Sequence, residues 1–224
     1  MHNHHAYTVE EQAAIYKVIA ERRDMRHFLP TPVDCATLQK ILAAAHHAPS
    51  VGLMQPWRFI RITDLQIRQA IHKQVDIERA KTAQAIGEYE TTARMSEFLC
   101  LKVEGILECG ELLVATLCDK RENNIFGRRT MPEMDIASVS CAIQNMWLAA
   151  RAEGLGLGWV SLFDPIELAQ LLNMPADAKP IAVLCLGHVA SFYKEPMLVE
   201  TGWKIEKPLT DMLMENSWNH DDTK

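Results

Sequence analysis

With 224 residues, 48% of them apolar and 23% charged, the chain has the balance of an ordinary globular protein and the length for one sizeable core, so a single domain over 1–224 is expected. A formal charge of −6 argues against a general polyanion-binding surface and excludes nucleic acid as the main partner. The opening MHNHHAYTVEEQ has no basic region ahead of an apolar run, and no segment approaches the roughly 18 to 20 apolar residues of a membrane span, so a soluble, cytoplasmic protein without a membrane partner is expected.

Thr8 and Glu11 form a T-x-x-E capping box, and Ile15, Val18 and Ile19 then share a face, which predicts a helix ending near Arg23 or Asp24. After the extended link at Pro30 and Pro32, Asp34 caps a second helix through CATLQKILAAAHH, with Leu38, Ile41 and Leu42 as its buried stripe. WRFIRIT, residues 57 to 63, is rich in strand formers and reads as the first strand. From about Asp64 to Gly110 the composition is helical, and the part around 75–108 reads as an excursion that could act as a lid.

ELLVATLCD reads as a buried strand, and the mixed-charge loop KRENNIFGRRTMPEM after it has no evident role. A long helix follows from Asp135, with Val139, Ile143, Met146 and Trp147 at helical spacing and Gly154 as its stop. LGWVSLF is then a strand, DPIELAQLLNM a short helix and IAVLCLGHV a further strand. The tail from Ser191 has no apolar pattern of its own and is expected to pack on something else, such as a second subunit. Interleaved helices and strands indicate an α/β or α+β fold around a mixed central sheet.

Six cysteines without a C-x-x-C pair suggest reduced core thiols, not zinc or disulfides. His46 and His47 are adjacent and cannot share a helix face, and His2, His4 and His5 lie at the terminus, so no metal site is expected.

Three stretches carry chemistry. Arg22, Arg23 and Arg26 either complement a helix C-terminus or bind phosphate in guanidinium forks, and Asp24 stands among them. HHAPSVGLMQPWRF is a breaker-rich connection in which Ser50 and Gln55 either meet the polar edge of a heterocycle or only shape a turn above a core Trp57. GLGLGWVS ends a helix and begins a strand, the reverse of a dinucleotide fingerprint, so its glycines serve close approach of a flat ligand or of a neighbouring strand.

Taken together, RRDMR, APSVGLMQPW, MWLAARAEGLGLGWVS and the C-terminal KPL resemble the flavin-dependent nitroreductase superfamily, and within it the 5,6-dimethylbenzimidazole synthase family, from about Thr8 to Trp218. The resemblance implies an α+β homodimer with a mixed central sheet flanked by helices, FMN at the subunit interface, and a C-terminal arm (about 191–224) wrapping the partner. By position, Arg22, Arg23, Asp24, Met25 and Arg26 make the motif at the flavin's phosphate and polar edge, with Lys207 a second phosphate contact. Ser50 and Gln55 border the flavin, and Gly156, Leu157 and Gly158 run beside its ring.

Two departures from ordinary nitroreductases, Asp24 in place of the usual Ser and Leu53 in place of Asn, point to the synthase family. There reduced FMN is the substrate: it is cut with O2 as co-substrate into 5,6-dimethylbenzimidazole, the lower ligand of vitamin B12, and erythrose 4-phosphate. The implied enzyme is an oxygenase-type oxidoreductase in which Asp24 and Ser161 are catalytic, Asp24 shuttling protons at the ring and ribityl chain and Ser161 orienting or relaying them. A carboxylate there is pulled up by desolvation and down by three arginines. NAD(P)H enters indirectly, through flavin reduction by a separate flavin reductase or in free solution. The alternative is an NAD(P)H-dependent nitroreductase or flavin reductase in which FMN cycles intact.

Overall fold

The computed structural model describes residues 5–218, which divide into a larger unit up to Phe192 and a C-terminal unit from Tyr193. In the larger unit, local sequence sets the helix starts. α1 (Val9–Glu21) opens on a reciprocal cap, Thr8 accepting from the Glu11 N–H while the Glu11 carboxylate accepts from the Thr8 N–H. α2 (Cys35–His46) is capped by Asp34 accepting from Thr37 N–H at 2.9 Å. Asp64 caps α3 (Leu65–Tyr89), Thr91 caps α4 (Thr92–Cys100), and Asp164, followed by Pro165 in the first turn, caps α6 (Pro165–Leu171).

Four strands, β1 (Trp57–Arg61), β2 (Glu111–Leu117), β3 (Gly156–Val160) and β4 (Lys179–Gly187), form a sheet in the order β1-β2-β4-β3. Every ladder among them is antiparallel; the parallel component is a single bridge between Asp24 and Leu157 on the outer side of β3. This α+β arrangement puts β2 in the middle with all seven residues buried, which is why ELLVATL is an unbroken apolar run apart from Glu111 and Thr116. Glu111 is held there by a fork from Arg61 on β1, at 2.5 and 2.7 Å.

α5 (Met134–Ala152) packs across β1, β2 and β3 and against α2. Its Val139, Ala142, Ile143, Met146 and Ala150 have no exposed surface and meet Leu38 and Ile41 of α2 and the sheet's Leu113, Ala115, Ala182 and Leu184 in one core. Gly154, at φ +76°, ends the helix as expected, with Leu155 N–H returning to Ala150 O at 2.8 Å.

Several expectations need correcting. The face that Ile15, Val18 and Ile19 share on α1 stays largely open, with Ile15 and Ile19 43% and 48% exposed. The third strand ends at Val160, so Ser161 lies beyond it, where the chain turns toward the Asp164 cap. Of the six free cysteines only Cys109 and Cys185 are core residues; Cys35, Cys100 and Cys141 are exposed, because they occupy outward positions on helices. His2 and His4 lie outside the described residues.

The C-terminal unit holds a short helix, α7 (Met197–Glu200), closed by Glu200 accepting from Glu195 N–H, and a single 3-10 turn at 209–212. Ile205, Leu209, Leu213 and Trp218 are 92%, 81%, 74% and 75% exposed. No helix of the described residues is long and apolar enough to cross a membrane.

Candidate active site

At Arg22 the chain leaves α1 for an extended conformation and runs along the outer side of β3, with Met25 N–H donating to Leu157 O at 3.1 Å. The glycines of GLG make this approach possible. A Cβ on Gly158 would stand 2.2 Å from Met25 O and 2.7 Å from an Arg26 nitrogen, and one on Gly156 would stand 2.6 Å from Val189 Cγ1 and 3.0 Å from Met25 Cγ. Gly156, Leu157, Gly158 and Met25 are all buried, so the close neighbour of this glycine strand is the chain's own segment 24–26.

That segment fixes Asp24. Arg26 forks onto its carboxylate with two bonds of 2.6 Å, Trp159 N–H donates to Oδ1 at 2.9 Å, and the same guanidinium donates to Trp159 O at 2.9 Å. The result is a closed ring of donors and acceptors that aims one carboxylate. Arg26 is 8% exposed, whereas the Asp24 side chain keeps 40% of its surface open although many protein atoms surround it. Desolvation raises its pKa above the ordinary carboxylate value, against the lowering by the charge of Arg26, the Trp159 N–H, the Arg26 hydrogen bond and the charge of Arg22.

The three arginines therefore have different jobs. Arg26 is the counter-ion of Asp24. Arg23 turns back onto the end of α1, donating to Ala20 O at 2.7 Å and Arg22 O at 2.8 Å. Arg22 lies over the ring of Trp147, 4.6 Å from its centroid. Trp147 also donates its indole N–H to Arg23 O at 3.0 Å, and Arg151, one turn further along α5, pairs with Glu21 at 2.7 Å. Trp147 was legible only as one of the helix's core positions; nothing in its spacing revealed that its polar edge serves residues 124 positions away. Ser161 is exposed, two residues beyond Trp159.

A second group forms at 50–55. Ser50 accepts from Gln55 N–H at 3.0 Å, and Gly52, Leu53 and Gln55 all have positive φ, at 53°, 51° and 48°. Leu53 and Gln55 hold a strained conformation for non-glycine residues, and Leu53 is 78% exposed. Trp57 is core, as the turn reading requires, and its indole N–H reaches His46 at 3.4 Å.

Ser138 at the start of α5 accepts from Val51 N–H at 3.1 Å. The mixed-charge loop locks on beside it: Arg128 and Arg121 both pair with the buried Asp135, at 2.5 and 3.1 Å, and a Cβ on Gly52 would stand 3.1 Å from Phe126 O. Sequence reasoning missed this clasp, whose signal was an acid at the helix start following two loop arginines.

The two groups, at 22–26 and at 50–55, both hold on to α5. They attach to α5 at Ser138 and Trp147, nine residues apart, or roughly 13 Å along the helix axis. Lys207 is an exposed residue of the C-terminal unit. Among the described residues no group of three or more His, Cys, Asp or Glu could hold a metal.

Residues 19–188 match the model of the nitroreductase family. The chain belongs to that family. It is 40% identical over 189 residues to a 5,6-dimethylbenzimidazole synthase of Rhodospirillum rubrum, covering 84% of this chain and 87% of the relative. It is 37% identical over 196 residues to one of Rhodobacter capsulatus, covering 87% of this chain and 93% of the relative. Among solved structures it is similar to an NADPH:FMN oxidoreductase from Vibrio harveyi complexed with NAD+, with a TM-score of 0.68 at 18% identity over 92% of this chain and 78% of that one. The identity is carried by relatives named as synthases; the oxidoreductase shares the fold.

Proposed function

We propose that this chain is a 5,6-dimethylbenzimidazole synthase that fragments reduced FMN with O2. The observation that carries the reading is the acid: a carboxylate held by three hydrogen bonds, partly open to solvent, at the edge of an arginine segment. The donor set fits a reduced flavin phosphate, since Arg22 offers a guanidinium edge to an anion while Asp24 offers an acceptor to ring N–H groups.

In this reading Arg22 holds the phosphate or polar edge, with Lys207 as a second phosphate contact. Ser50 and Gln55 border the flavin, the latter with its side-chain amide. Gly156, Leu157, Gly158 and Met25 act by setting the height of the segment beside the ring, and Arg23 by fixing the end of α1. Reduced FMN, as substrate, supplies the electrons that O2 accepts and the carbon skeleton that is cut. Asp24 accepts and returns protons at the ring nitrogens and ribityl carbon, its pKa raised by burial. Ser161 orients or relays the proton beyond the strand end.

The site is completed by a second copy of the chain. What supports this is the separation of the two residue groups along α5 and the exposed Ile15, Tyr16 and Ile19 of α1, an apolar face of the kind that subunit contacts cover. The C-terminal unit, with its exposed apolar residues, wraps the partner. The excursion around 75–108, in which the later turns of α3 and α4 lie, closes over the site as a lid that excludes bulk water. Electrons arrive from NAD(P)H through a separate flavin reductase or freely reduced FMN, and the six free thiols suit a reducing cytoplasm.

The test is to mix the protein anaerobically with reduced FMN, admit O2 and identify the small molecules by mass spectrometry. 5,6-Dimethylbenzimidazole is expected to appear as FMN disappears. Intact reoxidised flavin would overturn the reading in favour of an NAD(P)H-dependent nitroreductase or flavin reductase.

A further inference from the structure

The stripe that packs α5 into the core has Val139, Ala142, Ile143, Met146 and Ala150 fully covered. Trp147 is the border member of that core, 9% exposed, and its ring also meets the arginine segment. One face carries the Arg22 guanidinium at 4.6 Å, and the indole N–H donates to Arg23 O at 3.0 Å. The ring of Trp159 stands 6.4 Å away, tilted by 37°.

Each contact has a separate consequence. A guanidinium drawn over an aromatic face keeps N–H donors for an anion, because the ring's attraction for the cation uses none of its hydrogen bonds. The carbonyl of Arg23 belongs to the peptide that joins Arg23 to Asp24, so the indole N–H fixes the plane from which Asp24 departs. The other end of Asp24 is fixed by the backbone of Trp159. Asp24 is thus set at both ends, by one tryptophan's side chain and another's main chain.

We propose that Trp147 is a positioning residue for the reduced-FMN reaction, its ring face presenting Arg22 to the flavin phosphate or polar edge and its N–H setting the orientation of Asp24. This rests on the functional reading above. The two roles separate by substitution. W147F keeps a ring face and removes the N–H, whereas W147L removes both.

The experiment titrates oxidised FMN into wild type, W147F, W147L and R22Q by flavin fluorescence and measures kcat and KM for reduced-FMN consumption, with thermal unfolding as the check on folding. For W147F, affinity within about threefold of wild type is expected, with kcat lower by about tenfold or more, because only Asp24's alignment is lost. For W147L, affinity is expected to fall about tenfold as well, and W147L in the R22Q background is expected to add no further loss of affinity. If W147L does not fold, W147M, which also lacks a ring face, replaces it.

Equal FMN affinity in W147F and W147L would overturn the role toward Arg22, and an unchanged kcat in W147F would overturn the role toward Asp24. Affinity and kcat falling together with the unfolding temperature in both variants would reduce Trp147 to packing. If wild type merely reoxidises reduced FMN, the functional reading fails, while the affinity difference between the two variants still decides whether Trp147 carries Arg22.

Discussion

Trp159 donates its backbone N–H to the carboxylate of Asp24 at 2.9 Å, joining two residues 135 positions apart at the outer side of the sheet. The bond makes the aim of Asp24 a property of the sheet, because Trp159 is clamped in register opposite Leu184.

Asp24→Asn keeps the shape and an acceptor for Trp159 N–H but cannot take up and return a proton. Benzimidazole formation is expected to fall by about a hundredfold or more, the usual scale of general acid–base catalysis, with FMN affinity changed by less than about threefold. Mass spectrometry and flavin titration read the two quantities, and unchanged product formation would remove the proton-shuttle role.

Arg26→Gln tests the electrostatics. Burial raises the Asp24 pKa and Arg26 lowers it, so removing the guanidinium leaves the raising influence less opposed and moves the pKa further up. The ionised carboxylate is the proton acceptor, so the acid limb of kcat/KM is expected to move to higher pH. A limb that stays put or moves down would show that another group titrates there.

Gly158→Ala and Gly154→Ala separate crowding from conformational strain. At Gly158 the new methyl would meet main-chain atoms of Met25, which cannot swing aside. A cost of about 2 to 3 kcal/mol in urea unfolding and displacement of segment 24–26 are expected, with product formation lost. At Gly154 nothing lies within 4 Å and only the positive φ is penalised, so about 1 kcal/mol and normal activity are expected.

The helix caps make part of the stability sensitive to acid. Hydrogen bonds from Thr37 hold the Asp34 pKa below the ordinary value, and the N–H groups of Glu167 and Ile166 do the same for Asp164. A carboxyl lowered on folding contributes stability above its unfolded pKa and loses it as pH falls through the lower folded one. Asp34→Ala is therefore expected to melt below wild type at pH 7, with the gap closing below about pH 4, as melts across that range would show.

The limits of the helices were written locally. Thr8 with Glu11, Asp34 with Thr37, Asp164 with Pro165 and Gly154 after α5 act within a few residues, so the chain around them is sufficient to recognise them. The stretches at 22–26, 50–55 and 156–158 could also be singled out, by the density of arginines, breakers and glycines in them, each with an ordinary structural reading beside the functional one.

The division of labour among three neighbouring arginines was not legible. It depends on the ring of Trp147, the backbone of Trp159 and the carbonyls of the α1 end, and a guanidinium in sequence gives no sign of which acceptor it will meet. The same holds for the glycines of GLG, whose neighbour turned out to be Met25, and for the loop clasp at Asp135. Short-range hydrogen bonding and periodicity decide where elements begin and end. Which side chains meet is decided when the sheet brings residues more than a hundred positions apart into register, a relation that no local pattern encodes.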